Sequence, residues 1–155
     1  MQPAVIDGVD LRALAGRVPT PFHAYSAGAI RSRVAELQAA LHGLDALPCY
    51  AVKANPNGAV IGLMAEAGLG ADIVSSGEMH RALRAGIPAT RIVFSGVGKT
   101  GGEIVEALDA GIARFNVESH DELLLLQACA AGRGRPGARP GTADCPRTSA
   151  APRPG

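Results

Sequence analysis

A chain of 155 residues is long enough for one domain or for part of a larger one. Hydrophobic residues make up 47%, charged residues 19% and aromatics 3%, with no Trp, so a core has to be built from Ala, Val, Leu and Ile. The formal charge of +1 gives no reason to expect nucleic acid or a membrane as partner, the 3 cysteines are too few for a disulfide framework and lack a zinc spacing, and no stretch reads as a signal peptide or bilayer span; a cytoplasmic protein with reduced thiols is expected.

In chain order, the predicted elements are a strand at 22–25, a helix at 28–41, a strand at 47–52, a helix at 58–67, a strand at 70–74, a helix at 77–85, a strand at 91–95, a helix at 101–110, a strand at 114–117 and a helix at 120–130. The first helix carries Ile30, Val34, Leu37 and Leu41 at helical spacing. The second carries Val60, Ile61, Leu63, Met64 and Ala67 in the same way, and Ile104, Val105 and Leu108 mark the helix at 101–110.

Three segments, 66–78, 84–103 and 109–122, repeat one plan. Each has Ala-Gly-apolar at a helix end, where the glycine can take the left-handed conformation that closes the last turn. A short apolar run follows (ADIV, RIVF or RFNV), and then a capping box: Ser75-x-x-Glu78, Thr100-x-x-Glu103 or Ser119-x-x-Glu122. Strands alternating with helices predict an α/β fold with a parallel sheet and right-handed crossovers, either doubly wound or a (β/α) barrel. In both, chemistry gathers where strands end and helices begin, and Lys53, Ser75, Ser95 and Glu118 fall at that edge.

The charge is uneven: residues 1–130 hold ten Lys and Arg against thirteen Asp and Glu, whereas 131–155 hold five Arg and one Asp. That last stretch also has five Gly, five Pro and no Val, Ile, Leu, Met or aromatic residue, so disorder is expected. A basic nucleic-acid arm is the functional alternative, without the aromatics that stack bases. An out-of-frame reading of a GC-rich gene also yields Arg, Pro, Gly and Ala, and the downstream DNA would decide whether 131–155 is a frameshift product.

The stretch YAVKANPN at 50–57 places Lys53 at the end of an apolar run, an unusual site for an ammonium unless it is paired or neutralised. The plain reading is a surface lysine in a loop. The functional one is an amine nucleophile, its reactivity raised by desolvation at the mouth of the sheet, with small Ala51 and Ala54 leaving room for a flat ligand. Asp72 is the second candidate, because Asp is disfavoured inside strands such as ADIV; a loop-bonded structural Asp is its alternative.

YAVKANPN resembles the pyridoxal-phosphate lysine motif of the alanine-racemase-fold decarboxylases. GLGADIVSSGE, RALRAGIP, RIVFSGVGKT and FNVES follow in an order and spacing similar to the diaminopimelate decarboxylases, as does TPFHAY at 20–25, so the resemblance spans roughly 18–128. It implies a partial (β/α)8 barrel over 27–130, truncated after about four of eight units, and an N-terminal segment, 1–26, that gives a strand to a second, mostly β domain. It further implies pyridoxal 5'-phosphate as cofactor, Lys53 as its covalent anchor and Asp72 as the acid beside it. Ala51 and Glu78 would also lie at the cofactor, although the capping box explains Glu78 equally well. Asn55 and Ser75 are at the same mouth, where turn roles suit both. The implied reaction exchanges Lys53 for the amine of meso-diaminopimelate, releases carbon dioxide and yields L-lysine. The implied partners are this small amino acid and, in the intact family member, a second subunit; alone, the 155-residue chain is expected to be weak or inactive.

Rival readings are weaker. SGVGKT after a strand suggests a nucleotide-binding P-loop, but the residue five before Gly98 is Val93 rather than Gly. His23, His42, His80 and His120 lack a metal spacing. Ornithine or arginine decarboxylases are nearer competitors, from which FSGVGKT points away. A non-catalytic pyridoxal-phosphate protein would lack both TPFHAY and GVGKT.

Overall fold

The computed structural model describes residues 4–132. It forms two compact units, one ending at Ala46 and the other beginning at Leu47. The stretch predicted to be disordered lies, from residue 133, outside the described residues.

The first unit opens with a hairpin that the periodicity argument overlooks. Strands β1 (Val5–Ile6) and β2 (Val9–Asp10) pair antiparallel, with Ile6 opposite Val9. Asp7 and Gly8 form the two-residue turn, with φ of 48° and 80°. Two consecutive positive φ angles match the right-handed twist of hairpin strands, and Asp-Gly adopts them most readily. Asp10 then caps the short helix α1 (Leu11–Ala15), accepting from the Arg12 N–H at 2.8 Å.

Helix α2 (Ala27–Ala40) lies within one residue of its predicted span. Its N-cap, Ser26, accepts from the Ala29 N–H at 2.9 Å and donates to Asp7 Oδ1 at 2.7 Å. Asp7 Oδ2 accepts from the Gly28 N–H at 3.0 Å. The hairpin turn therefore delivers a carboxylate to N–H groups that a helix leaves unsatisfied at its start. The predicted strand at 22–25 is not formed. A strand needs a neighbour to receive its backbone groups, and no described residue pairs with this segment.

The second unit is built on a four-stranded parallel sheet: β3 (Cys49–Ala51), β4 (Gly70–Ile73), β5 (Ile92–Phe94) and β6 (Arg114–Phe115), in sequential order. Helices α3 (Gly58–Glu66), α4 (Ser76–Arg84) and α5 (Gly101–Ala110) make the crossovers, and α6 (His120–Ala131) follows β6. Ala71, Ile73, Ile92 and Phe94 from the strands share one core with Ile61 of α3, Met79 and Ala82 of α4 and Ala107 of α5. Those crossover helices thus cover the same face. A doubly wound sheet would reverse its strand order and place helices on both faces. Sequential order with one covered face is the geometry of a (β/α) barrel, of which four units are present.

The repeats close alike. The Leu69 N–H bonds to Met64 O at 2.9 Å, the Ile87 N–H to Ala82 O at 3.0 Å and the Ile112 N–H to Ala107 O at 3.3 Å. Between each pair sits a left-handed glycine, Gly68, Gly86 or Gly111, with φ of 73°, 98° and 71°. This turn satisfies the last helix carbonyls and aims the next apolar residue back at the core. Leu69 and Ile87 are buried accordingly.

Candidate active site at the strand ends

Because residues alternate across a strand, Ala51, Asp72, Val93 and Arg114, which stand in one register row, face away from the helices. In a barrel this is the inner face. Gly70 lets β3 and β5 close up on β4: a Cβ there would lie 2.4 Å from Arg91 O and 2.7 Å from Cys49 Sγ.

Strand β3 ends one residue earlier than predicted. Val52–Ala54 form a single 3-10 turn, in which Val52 is buried and Lys53 is carried past the sheet edge. Lys53 is exposed, so among the described residues the expected desolvation is not supplied. Nor does its amine have a hydrogen-bond or ion-pair partner among them. The turn is held by Tyr50, whose hydroxyl donates to Asn55 O at 3.1 Å. Asn55 Oδ1 accepts from the Asn57 N–H at 3.0 Å, and Asn57 caps α3, so Asn55 does have the turn role weighed for it.

Asp72 sits directly across from Ala51, two residues before Lys53. It is not bonded to a loop backbone. Instead its Oδ1 accepts a short hydrogen bond from the Ser95 hydroxyl, and Ser95 Oγ accepts from Asn116 Nδ2 at 2.9 Å. Cys49 lies one pleat earlier on the same face, where burial, aided by the Asp72 carboxylate, raises its thiol above the ordinary value of 9.0 against the pull of Arg91 and Arg114.

The three capping boxes share a motif but not a fate. Ser75, Thr100 and Ser119 each accept from the backbone N–H three residues on, at 3.3, 3.3 and 3.1 Å. Only Glu103 returns the bond to its own cap, at 3.1 Å from the Thr100 N–H, while also receiving the Ser76 N–H at 3.3 Å. Burial pushes its carboxyl up, but these donors outweigh that and hold it below the ordinary value of 4.5. Glu78, half-buried, accepts from the Val74 N–H at 2.8 Å, one residue before the cap. Glu122 turns to Lys99, whose Nζ donates to Glu122 Oε1 at 2.6 Å, Asn116 O at 2.7 Å and Gly96 O at 2.8 Å. The Gly-Lys-Thr end of SGVGKT therefore spends its lysine on its own protein, against a P-loop reading. Among the described residues no cluster suits a metal ion, and His80 pairs with Glu106 at 2.6 Å.

Asn116 and the Lys99–Glu122 pair went unnoticed in the sequence. The usable signal was position: Asn116 follows β6 as Ser95 follows β5. For Glu122 the capping motif hid the second role.

A family model described as the pyridoxal-binding domain of pyridoxal-dependent decarboxylases matches residues 27–137. The chain belongs to this family. The cofactor of these decarboxylases is pyridoxal phosphate. Diaminopimelate decarboxylase of Aquifex aeolicus is 48% identical over 130 residues, which are 84% of this chain and 30% of that protein. The enzyme of the same name from Zymomonas mobilis is 43% identical over 133 residues, 84% and 32% of the two chains. The crystal structure of diaminopimelate decarboxylase from Helicobacter pylori in complex with L-lysine matches with a TM-score of 0.78 at 42% identity, covering 81% of this chain and 32% of that one. The chain thus spans just under a third of the length of the curated relatives it matches.

The decarboxylase-family residues fit the cofactor chemically. A primary amine that is accessible and unpaired among the described residues suits an aldehyde, a small Ala51 leaves the sheet face open beside it, and a carboxylate stands on the next strand.

Proposed function

We propose that this chain carries the cofactor-anchoring part of a cytoplasmic diaminopimelate decarboxylase, which converts meso-diaminopimelate to L-lysine and acts as a homodimer when intact. The observation that carries it is Lys53: an amine without a partner among the described residues, at the C-terminal edge of a parallel sheet, one strand from Asp72. The names of the similar proteins support the substrate, and L-lysine bound to one of them is the product expected here.

When bound, pyridoxal phosphate supplies an electron-withdrawing ring that stabilises negative charge at the substrate's α-carbon. Lys53 would hold the cofactor through its Nζ. The Asp72 carboxylate would favour positive charge on a nitrogen beside it, since a nearby anion stabilises a cation. Ala51 keeps the sheet face between them low. Glu78 belongs to the same rim and holds the loop after β4 through its bond from Val74.

Borohydride reduction of the protein mixed with pyridoxal phosphate, followed by peptide mapping, tests the anchor. Label is expected on Lys53 and absent in Lys53→Ala. Label chiefly on Lys99 refutes the assignment.

A further inference from the structure

We propose that Ser95 and Asn116 are positioning residues for Asp72: a one-way hydrogen-bond relay holds one carboxylate oxygen on the open face and leaves the other for the nitrogen joined to the cofactor. This rests on the anchoring at Lys53 proposed above.

The direction follows from the donor inventory. An ionised carboxylate only accepts, so the Ser95 hydrogen goes to Asp72 Oδ1. Ser95 Oγ must then receive a donor, and Asn116 offers its amide nitrogen at 2.9 Å. Turning the Asn116 amide over would set its oxygen against a hydroxyl whose only hydrogen is already committed. The other oxygen of Asp72 has no hydrogen-bond partner among the described residues.

Both relay residues are pinned through their backbones. The Ser95 N–H donates to Ile73 O at 2.8 Å and the Asn116 N–H to Phe94 O at 2.9 Å. Past Ser95 the chain turns at Gly96, with φ of 86° and a Cβ position only 3.2 Å from the Val74 side chain. Lys99 then clamps both loops from behind, through Gly96 O and Asn116 O, with Glu122 balancing its charge. Its ammonium lies 5.6 Å from the centroid of the Phe94 ring. A carboxylate one strand from an exposed lysine would otherwise be free to rotate.

The test uses the whole chain and two readouts. The first needs no cofactor: the Asn116 side-chain amide resonance should move in both Ser95→Ala and Asp72→Asn. If it moves in neither, the relay is refuted. The second is the rate of borohydride-trappable attachment of pyridoxal phosphate at Lys53. It should fall about fivefold in Ser95→Ala and in Asn116→Ala, the worth of one ordinary hydrogen bond. It should recover in Ser95→Thr, and Ser95→Ala should cost nothing further on top of Asp72→Asn. Asn116→Ala keeps the carbonyl that receives Lys99, so unfolding midpoints should stay close to the parent's. Unchanged attachment rates, or losses that simply add, overturn the positioning role. If the parent chain attaches no cofactor at Lys53, the anchoring reading fails instead, and the amide spectrum alone decides the relay.

Discussion

Lys99 and Glu122 meet at 2.6 Å with side-chain exposures of 1% and 8%. The pair joins the loop after β5 to the first turn of α6, and all three ammonium hydrogens are used. Burying two charges is costly, so such a pair persists only when its geometry is good and its remaining polar atoms are satisfied. Removing one partner leaves an uncompensated charge. Lys99→Met and Glu122→Gln are each expected to lower unfolding free energy by about 3–5 kcal/mol, and Lys99→Met/Glu122→Leu by much less. Urea denaturation followed by circular dichroism measures this; a double variant as damaged as either single one would contradict it.

Gly70→Ala tests the tight passage between β3 and β5. The new methyl would meet the Arg91 carbonyl oxygen, just before β5, at 2.4 Å and the Cys49 thiol at 2.7 Å, and a backbone oxygen gives way less readily than a flexible side-chain tip. A loss of about 3 kcal/mol is expected in thermal or urea unfolding. Gly102→Ala, a position with open space around it, serves as control and should cost little.

Two helix starts should loosen in acid. Hydrogen bonds from the Gly28 N–H and the Ser26 hydroxyl hold Asp7 below its ordinary value of 3.8, against a smaller opposing effect of burial. Glu103 is held below 4.5 as described above. A carboxylate whose folded pKa is depressed contributes stability above its unfolded pKa, and that contribution fades as pH falls through the folded value. Protection of the Gly28 and Ser76 amides against hydrogen exchange should therefore be steady from pH 7 to about 5 and decline below about 4. Asp7→Asn should weaken Gly28 protection already at neutral pH.

A polypeptide of these 155 residues, supplied with pyridoxal phosphate and meso-diaminopimelate, is expected to release little carbon dioxide. Four units would cover only one side of a cofactor anchored at Lys53, leaving the other open to water. Turnover near the enzyme median of about 10 per second would overturn this expectation. Isotope-labelled carboxyl carbon trapped as carbonate gives the measurement.

The alternating strands and helices from 47 to 131 were legible because apolar periodicity, Ala-Gly closures and capping serines all pointed the same way. Boundaries moved by one or two residues, as where β4 stops at Ile73 and β6 at Phe115 because the pairing with the neighbouring strand ends there. Choosing a barrel over a doubly wound sheet required the strand order, which local pattern does not carry. The hairpin at 5–10 has its signal in Asp7-Gly8 between Val5-Ile6 and Val9, but a two-residue strand is too short to show alternation. The predicted strand at 22–25 is not formed among the described residues, because β-rich composition by itself supplies no partner. At the site, Lys53 and Asp72 stood out because charged residues interrupt apolar runs. Asn116 and Glu122 did not, since asparagine after a strand and glutamate in a cap are ordinary; their uses emerge from residues twenty or so positions away, such as Ser95 to Asn116 at a separation of 21.

The cross-links at the strand ends all join neighbouring units: Ser76 to Glu103, Asp72 to Ser95, Ser95 to Asn116, and Lys99 to Asn116 and Glu122. They lace consecutive loops into a collar, and Arg81 of α4 adds a bond to Pro56 O in the loop after β3. Disturbance should consequently spread sideways around the mouth while the helix-side core stays quiet, and a molecule settling on one loop would feel the stiffness of the next two.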